Sequence, residues 1–231
     1  QIQVYFCFSL QYLSYINIRT IMSNYQLFHN DLPAQALKSF KGEISIDTET
    51  LGLNIKRDRL CLIQLRNESN KKIYFIKFDS EISVKKSKNL KLILENKSIK
   101  KIFHYARFDM AVLKENLNIN VNNVFCTKIA SKLTRTYSSK HGLKDLVKEL
   151  LNVELDKNEQ TSDWGREKLS KSQIQYAMND ILYLERLKII LETKLEDLKR
   201  IKTFNSIMKF LETRVELDLM GWESTDIFAH K

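Results

Sequence analysis

Asp47 and Glu49 stand one residue apart in the run Ile44-Ser45-Ile46-Asp47-Thr48-Glu49-Thr50-Leu51-Gly52. Side chains alternate across a strand, so both acids point one way while Ile44 and Ile46 point the other, toward a core. Two carboxylates this close repel unless something positive lies between them. A divalent cation is the simplest such partner, and oxygen donors suit Mg²⁺ or Mn²⁺. Two solvated acids at an exposed strand end are the alternative, and the pair alone leaves both readings open.

Two further features carry acids. Asp109 falls near the start of a helical stretch after Phe103-His104, where a carboxylate also favours the positive end of the helix dipole. Tyr176 and Asp180 lie four residues apart and so share a helix face. Asp180 borders an apolar stripe of Ile174, Ala177, Ile181 and Leu184, where an unpaired acid is costly. Taken singly, each feature has an ordinary structural explanation.

The elements that must position these groups follow from periodicity. Tyr25–Leu32 reads as a short strand, and Gln35–Phe40 as a short helix. The acid-bearing strand, Leu60–Leu65 and Lys72–Ile76 form an antiparallel meander, with the polar stretch Asn67–Lys71 turning between the last two. Lys85–Asn96 is helical, Lys100–His104 a fourth strand, Phe108–Asn116 a helix and Val124–Cys126 a fifth strand. Thr127 is expected to cap the helix that follows. Leu143–Leu151 is a helix, and Ser170-Lys171-Ser172-Gln173 is a capping box opening a helix expected to run past Leu195. A last helix over Thr203–Met220 carries the stripe Phe204, Met208, Leu211, Val215 and Leu219 and ends at Gly221. A meander followed by alternating strands and helices predicts an α/β fold with a mixed five-stranded sheet flanked by helices.

In combination the motifs resemble the ribonuclease D group of 3′→5′ exonucleases, in the branch with four acids and a tyrosine. The segments that carry the resemblance are Asp47-Thr48-Glu49-Thr50-Leu51-Gly52-Leu53, His104-Tyr105-Ala106-Arg107-Phe108-Asp109 and Tyr176-Ala177-Met178-Asn179-Asp180 with Tyr183-Leu184. The runs Thr161-Ser162-Asp163-Trp164 and His141-Gly142-Leu143-Lys144-Asp145-Leu146 are similar to this group as well. A sister branch has histidine five positions before the last acid, where this chain has Gln175. The resemblance implies a ribonuclease H-like fold with extra C-terminal helices. It implies two divalent ions, Mg²⁺ or Mn²⁺, held by Asp47, Glu49, Asp109 and Asp180, with Glu49 and Tyr176 orienting the attacking water. It also implies substrate contacts from Thr50, Leu51 and Gly52, with His104 either a contact or a sheet-end histidine. The implied activity is a 3′→5′ exoribonuclease releasing 5′-mononucleotides, in tRNA-type 3′-end processing or turnover. Single-stranded DNA as substrate and an inactive nucleic-acid-binding scaffold are the alternatives.

Composition agrees with a polyanion partner. Lys and Arg outnumber Asp and Glu by 38 to 28, a net charge of +10, and the pI is near 9.4. Abundant Lys, Asn and Ile also fit a codon bias, so charge alone does not decide. Lys128, Lys132, Arg135, Lys140, Lys144 and Lys148 either track a phosphate backbone or form a solvated face. The three cysteines, Cys7, Cys61 and Cys126, match no zinc spacing and predict a reducing, cytoplasmic setting. Residues 1–21 are a poor signal peptide and too polar for a confident membrane span, so no stable membrane association is expected. The expected organisation is a doubtful N-terminal extension over 1–21, an exonuclease domain over 22–200 and a C-terminal helix and tail over 201–231 packed on it.

Overall fold

The computed structural model describes residues 25–78, 87–155, 159 and 161–230; the doubtful segment 1–21 lies outside them. Its centre is a six-stranded mixed sheet. The strands are β1 (Tyr25–His29), β2 (Glu43–Thr50), β3 (Leu60–Asn67), β4 (Ile73–Lys77), β5 (Lys100–Phe103) and β6 (Val124–Cys126). They lie in the order β1-β4-β3-β2-β5-β6. The meander β2-β3-β4 is antiparallel as expected, and β5 and β6 extend it in parallel on the β2 side. The sheet has one strand more than expected, because Tyr25–His29 pairs in parallel with β4. That pairing joins segments distant in sequence, so no hairpin signal marks it.

The helices are α1 (Ala34–Leu37), α2 (Lys88–Leu94), α3 (Ala106–Leu117), α4 (Thr127–Thr134), α5 (Leu143–Leu151), α6 (Lys171–Leu182), α7 (Leu184–Asp197) and α8 (Ile201–Leu217). Ile44, Ile46, Ile63 and Ile76 pack with Leu90 of α2, Met110 and Leu113 of α3, and Leu211 and Val215 of α8. On the other face, Leu62 and Phe75 pack with Ala177, Met178 and Ile181 of α6. Ile102 and Phe125 meet Leu184, Leu187 and Leu191 of α7 and Phe204 of α8. Strand alternation thus puts Asp47 and Glu49 on the face that α6 covers.

Three expectations need correction. The helix opened at Ser170 does not run past Leu195; it breaks at Tyr183. There the Leu182 carbonyl accepts from Arg66 Nη1 of β3 at 3.3 Å, a side-chain intrusion of the kind that kinks helices. Thr127 does not cap α4. Its hydroxyl instead donates to the Phe103 carbonyl at 3.1 Å and pairs with His104 Nδ1 at 2.9 Å. The helix after β5 starts at Ala106, two residues before Phe108. The last helix ends in a π-turn, Asp218–Trp222, with Gly221 at φ 103°, a conformation that favours glycine. Among the described residues no helix is long and apolar enough to cross a membrane.

Candidate active site

Strand β2 delivers Asp47 and Glu49 at its C-terminal end, where pairing with β3 shifts register between Glu49 and Thr50. Asp180 of α6 reaches the same place, and one carboxylate oxygen from each of Asp47, Glu49 and Asp180 lies within 4.8 Å of the others. Burial pushes the Asp47 carboxyl well above the usual carboxylate range, and the charges of Asp109, Asp180 and Glu49 push it further. Glu49 is raised in the same way, by burial and then by Asp180 and Asp109. Gln64, fully buried and opposite Asp47 in the ladder, donates from Nε2 to Glu49 Oε1 at 3.4 Å, which acts against that rise. Converging, desolvated carboxylates favour a hard divalent cation, which would reverse the sign of the local field.

The capping box at Ser170 forms as expected: its hydroxyl accepts from Gln173 N at 3.0 Å and Gln173 Oε1 accepts from Ser170 N at 2.9 Å. Gln173 also donates to Ser162 Oγ at 3.0 Å and the Asp163 carbonyl at 2.9 Å, tying the preceding loop to the helix start. Trp164 of that loop is buried and its ring tilts against Tyr176 at 6.0 Å. Tyr176 therefore enters the site with its ring braced. Burial, the charges of Asp180, Glu49 and Asp47, and a hydrogen bond with Asp180 all raise its phenol pKa, so the hydroxyl keeps its proton.

Asp109 arrives from the opposite face of the sheet. It lies in the first turn of α3, is buried, and is not one of the trio of converging oxygens. Thr48, between the two strand acids but facing the other way, donates Oγ1 to Asp109 Oδ1 at 2.7 Å. Burial pushes Asp109 up to about 7, while that hydrogen bond works in the opposite direction. Sequence reasoning passed over Thr48: alternation turns it away from Asp47 and Glu49, but only the packing of α3 brings Asp109 to that side. Gln64 had no such signal, since only the strand register places it beside Glu49.

The turn after the acids is tightly built. Thr50 Oγ1 donates to the Gly52 carbonyl at 2.5 Å, and Leu51 N to the Arg59 carbonyl at 3.1 Å. A Cβ on Gly52 would sit 2.3 Å from Asp58 Oδ2, so any larger residue there must displace the Asp58 carboxylate. Leu51 is half exposed and rests on Gly165, whose missing Cβ would lie 2.6 Å from Leu51 Cδ2. Leu53, from the same turn, is 85% exposed and is the more prominent apolar projection.

His104 stands apart from the acids. Burial and the Lys128 charge lower its pKa to about 3, so the ring is neutral, and Nε2 is buried with no partner. Beside it Lys128 Nζ lies 4.0 Å over the ring of Tyr105, itself 43% exposed. Of the basic residues singled out from the sequence, Arg135 does not face solvent: its side chain is fully buried and forks onto Glu149. Lys148 pairs with Glu154 at 2.8 Å. With these two engaged, the series is not one uniform phosphate track.

A mixed sheet whose acid-bearing strand end is overhung by a Tyr-x-x-x-Asp helix defines a carboxylate nuclease class, and residues 26–196 match the 3′-5′ exonuclease family, to which the chain belongs. Among curated relatives, ribonuclease D of Desulfotalea psychrophila is 30% identical over 152 residues, covering 66% of this chain and 39% of that protein. The chain thus matches about two fifths of the length of that relative. Among solved structures, Brucella melitensis NrnC bound to pGG superposes with a TM-score of 0.84 at 48% identity, covering 90% of this chain and 99% of that one. The same protein with bound Mg²⁺ gives 0.83 at 47% identity, covering 90% and 100%.

Proposed function

We propose that the chain is a metal-dependent 3′→5′ exonuclease acting on single-stranded RNA and releasing 5′-mononucleotides. The observation that carries this reading is the convergence of the half-buried Asp47, Glu49 and Asp180, with Tyr176 bonded to Asp180. Its donor set is all oxygen, and repulsion among its acids is relieved by a divalent ion. We assign Asp47, Glu49, Asp109 and Asp180 to hold two ions, Mg²⁺ or Mn²⁺. When bound, such ions polarise the phosphate and stabilise the attacking and leaving oxygens.

The remaining roles belong to the chain. Glu49, steadied by Gln64, accepts a hydrogen bond from the water that attacks phosphorus. Tyr176 keeps its proton, so it positions that water as a donor and does not remove a proton from it. The water's oxygen bonds to phosphorus and its proton passes to solvent, the P–O3′ bond breaks, the 3′-oxygen takes up a proton from solvent, and the terminal nucleotide leaves with a 5′-phosphate. Thr50, Leu51 and Gly52 form the floor under the terminal nucleotide, and exposed Leu53 extends it. Neutral His104, just after β5, and Lys128, in the first turn of α4, offer polar contacts beside it.

The test is a 5′-labelled RNA with Mg²⁺ or Mn²⁺. A one-nucleotide ladder from the 3′ end that vanishes in EDTA is expected. A matched DNA strand tests the DNA alternative, and no cleavage of either would leave the scaffold reading. A second reading, preference for very short RNAs, is favoured by the pGG-bound neighbour, whose whole length this chain spans. A dinucleotide against a 20-mer at equal concentration decides between them.

A further inference from the structure

The segment beyond the family match, after residue 196, sends one buried carboxylate back toward the site. Asp218, in the π-turn after α8, is buried and accepts a fork from Arg107: Nη2 to Oδ1 at 2.7 Å and Nε to Oδ2 at 2.5 Å. Arg214 adds two more donors to Asp218 Oδ1, at 3.0 and 2.6 Å. The same guanidiniums bind the backbone of the following turn, Arg107 at the Glu223 carbonyl (2.7 Å) and Arg214 at the Trp222 carbonyl (2.5 Å). Planar forks of this kind fix geometry as well as charge.

Arg107 sits in the first turn of α3, two residues before Asp109. That helix begins without a side-chain cap, from Tyr105 at φ 75° and ψ 42°. A non-glycine residue there costs of order 1 kcal/mol or more and persists only when its surroundings enforce it. Thr48 holds the Asp109 carboxylate from the sheet, and Ala106 and Met110 pack the start of α3 against Ile44 and Ile46 of β2. The fork on Asp218 adds a polar, directional tie on the solvent side of the same turn. Asp218, Arg107, Tyr105 and Phe108 also line a groove of about 500 Å³ that reaches Leu53, next to the acid turn.

We infer that Asp218 is a positioning residue for the metal site: through Arg107 it locks the first turn of α3 and so sets where Asp109 stands. This rests on the metal-site reading above. The test is Mn²⁺ binding by the full chain without substrate, followed by electron paramagnetic resonance, with thermal unfolding alongside. Asp218→Asn keeps the size of the side chain and removes the charge that orients Arg107; Asp218→Glu keeps the charge. Asp218→Asn is expected to weaken Mn²⁺ binding roughly 3-fold or more, less than the ~10–100-fold lost with a direct hydrogen-bond partner of a ligand, because Asp218 acts through Arg107. Asp218→Glu should recover part of the loss. Leu195→Ala, a core truncation in α7, controls for stability and should leave Mn²⁺ affinity unchanged. If Asp218→Asn does not fold, Arg107→Lys, which keeps the charge but not the fork, is titrated in its place with the same expectation. Wild-type affinity in the fork-breaking variant, or an equal loss in Leu195→Ala, overturns the inference and leaves the metal site standing. No Mn²⁺ binding by the wild-type chain overturns both.

Discussion

Asp47→Asn separates repulsion from function in one variant. Oxygens of Asp47, Glu49 and Asp180 lie within 4.8 Å, so each ionised pair repels by about 3.5 kcal/mol at an effective dielectric constant of 20. Proton uptake by these raised acids relieves part of that cost without metal. Removing one charge should then stabilise the metal-free protein by roughly 2 kcal/mol, or ~4–8 °C in Tm for a chain of this size. Saturating Mn²⁺ should stabilise the wild type by about 2.7 kcal/mol at 100 times Kd, and the variant by far less. The order of stability therefore reverses: Asp47→Asn melts higher in EDTA and lower in Mn²⁺. Scanning fluorimetry in both buffers reads this without any substrate. A variant that melts below wild type in EDTA and gains as much from Mn²⁺ refutes the reasoning.

Tyr176→Phe loses a hydroxyl and no ligand, so turnover of RNA should fall roughly 100-fold while the Mn²⁺-induced rise in Tm persists. Asp109 and Glu68 are both pushed up to about 7 from 3.8 and 4.5, chiefly by burial. Their raised values add stability below about pH 4 that is lost as pH rises through about 7. The metal-free Tm should thus fall over that window, measured in EDTA, and an opposite slope would contradict it. Thr48→Val leaves an Asp109 oxygen without its buried donor and should cost about 1–3 kcal/mol in urea unfolding. Gly52→Ala forces a Cβ against the Asp58 carboxylate; loss of both stability and RNA cleavage is expected, with Asp58→Ala in the same background restoring stability.

Much of the site was readable because its constraints are local. The Asp-x-Glu spacing fixes a common face in any strand, and the Tyr-x-x-x-Asp spacing does so in any helix. The capping box located the start of α6 to the residue because both of its hydrogen bonds close within one turn. The break of that helix at Tyr183 was not readable, because the partner that takes up the Leu182 carbonyl there, Arg66, is remote in sequence. The pairing of β1 with β4, the fate of the Thr127 hydroxyl and the burial of Arg135 were hidden for the same reason: each depends on a distant partner.

The sequence by itself determined the inventory of this protein. It carries four acids and a tyrosine on three predictable elements, with enough alternating apolar residues to build an α/β sheet around them. Tertiary structure decided how those groups divide. Asp47, Glu49 and Asp180 share one face of the sheet, while Asp109 comes over the strand end from the other, held by Thr48 and backed by Arg107 and Asp218. Periodicity assigns a side chain to a face of its own element. Which element covers that face, and so which charges are buried together, is set only when the sheet is packed.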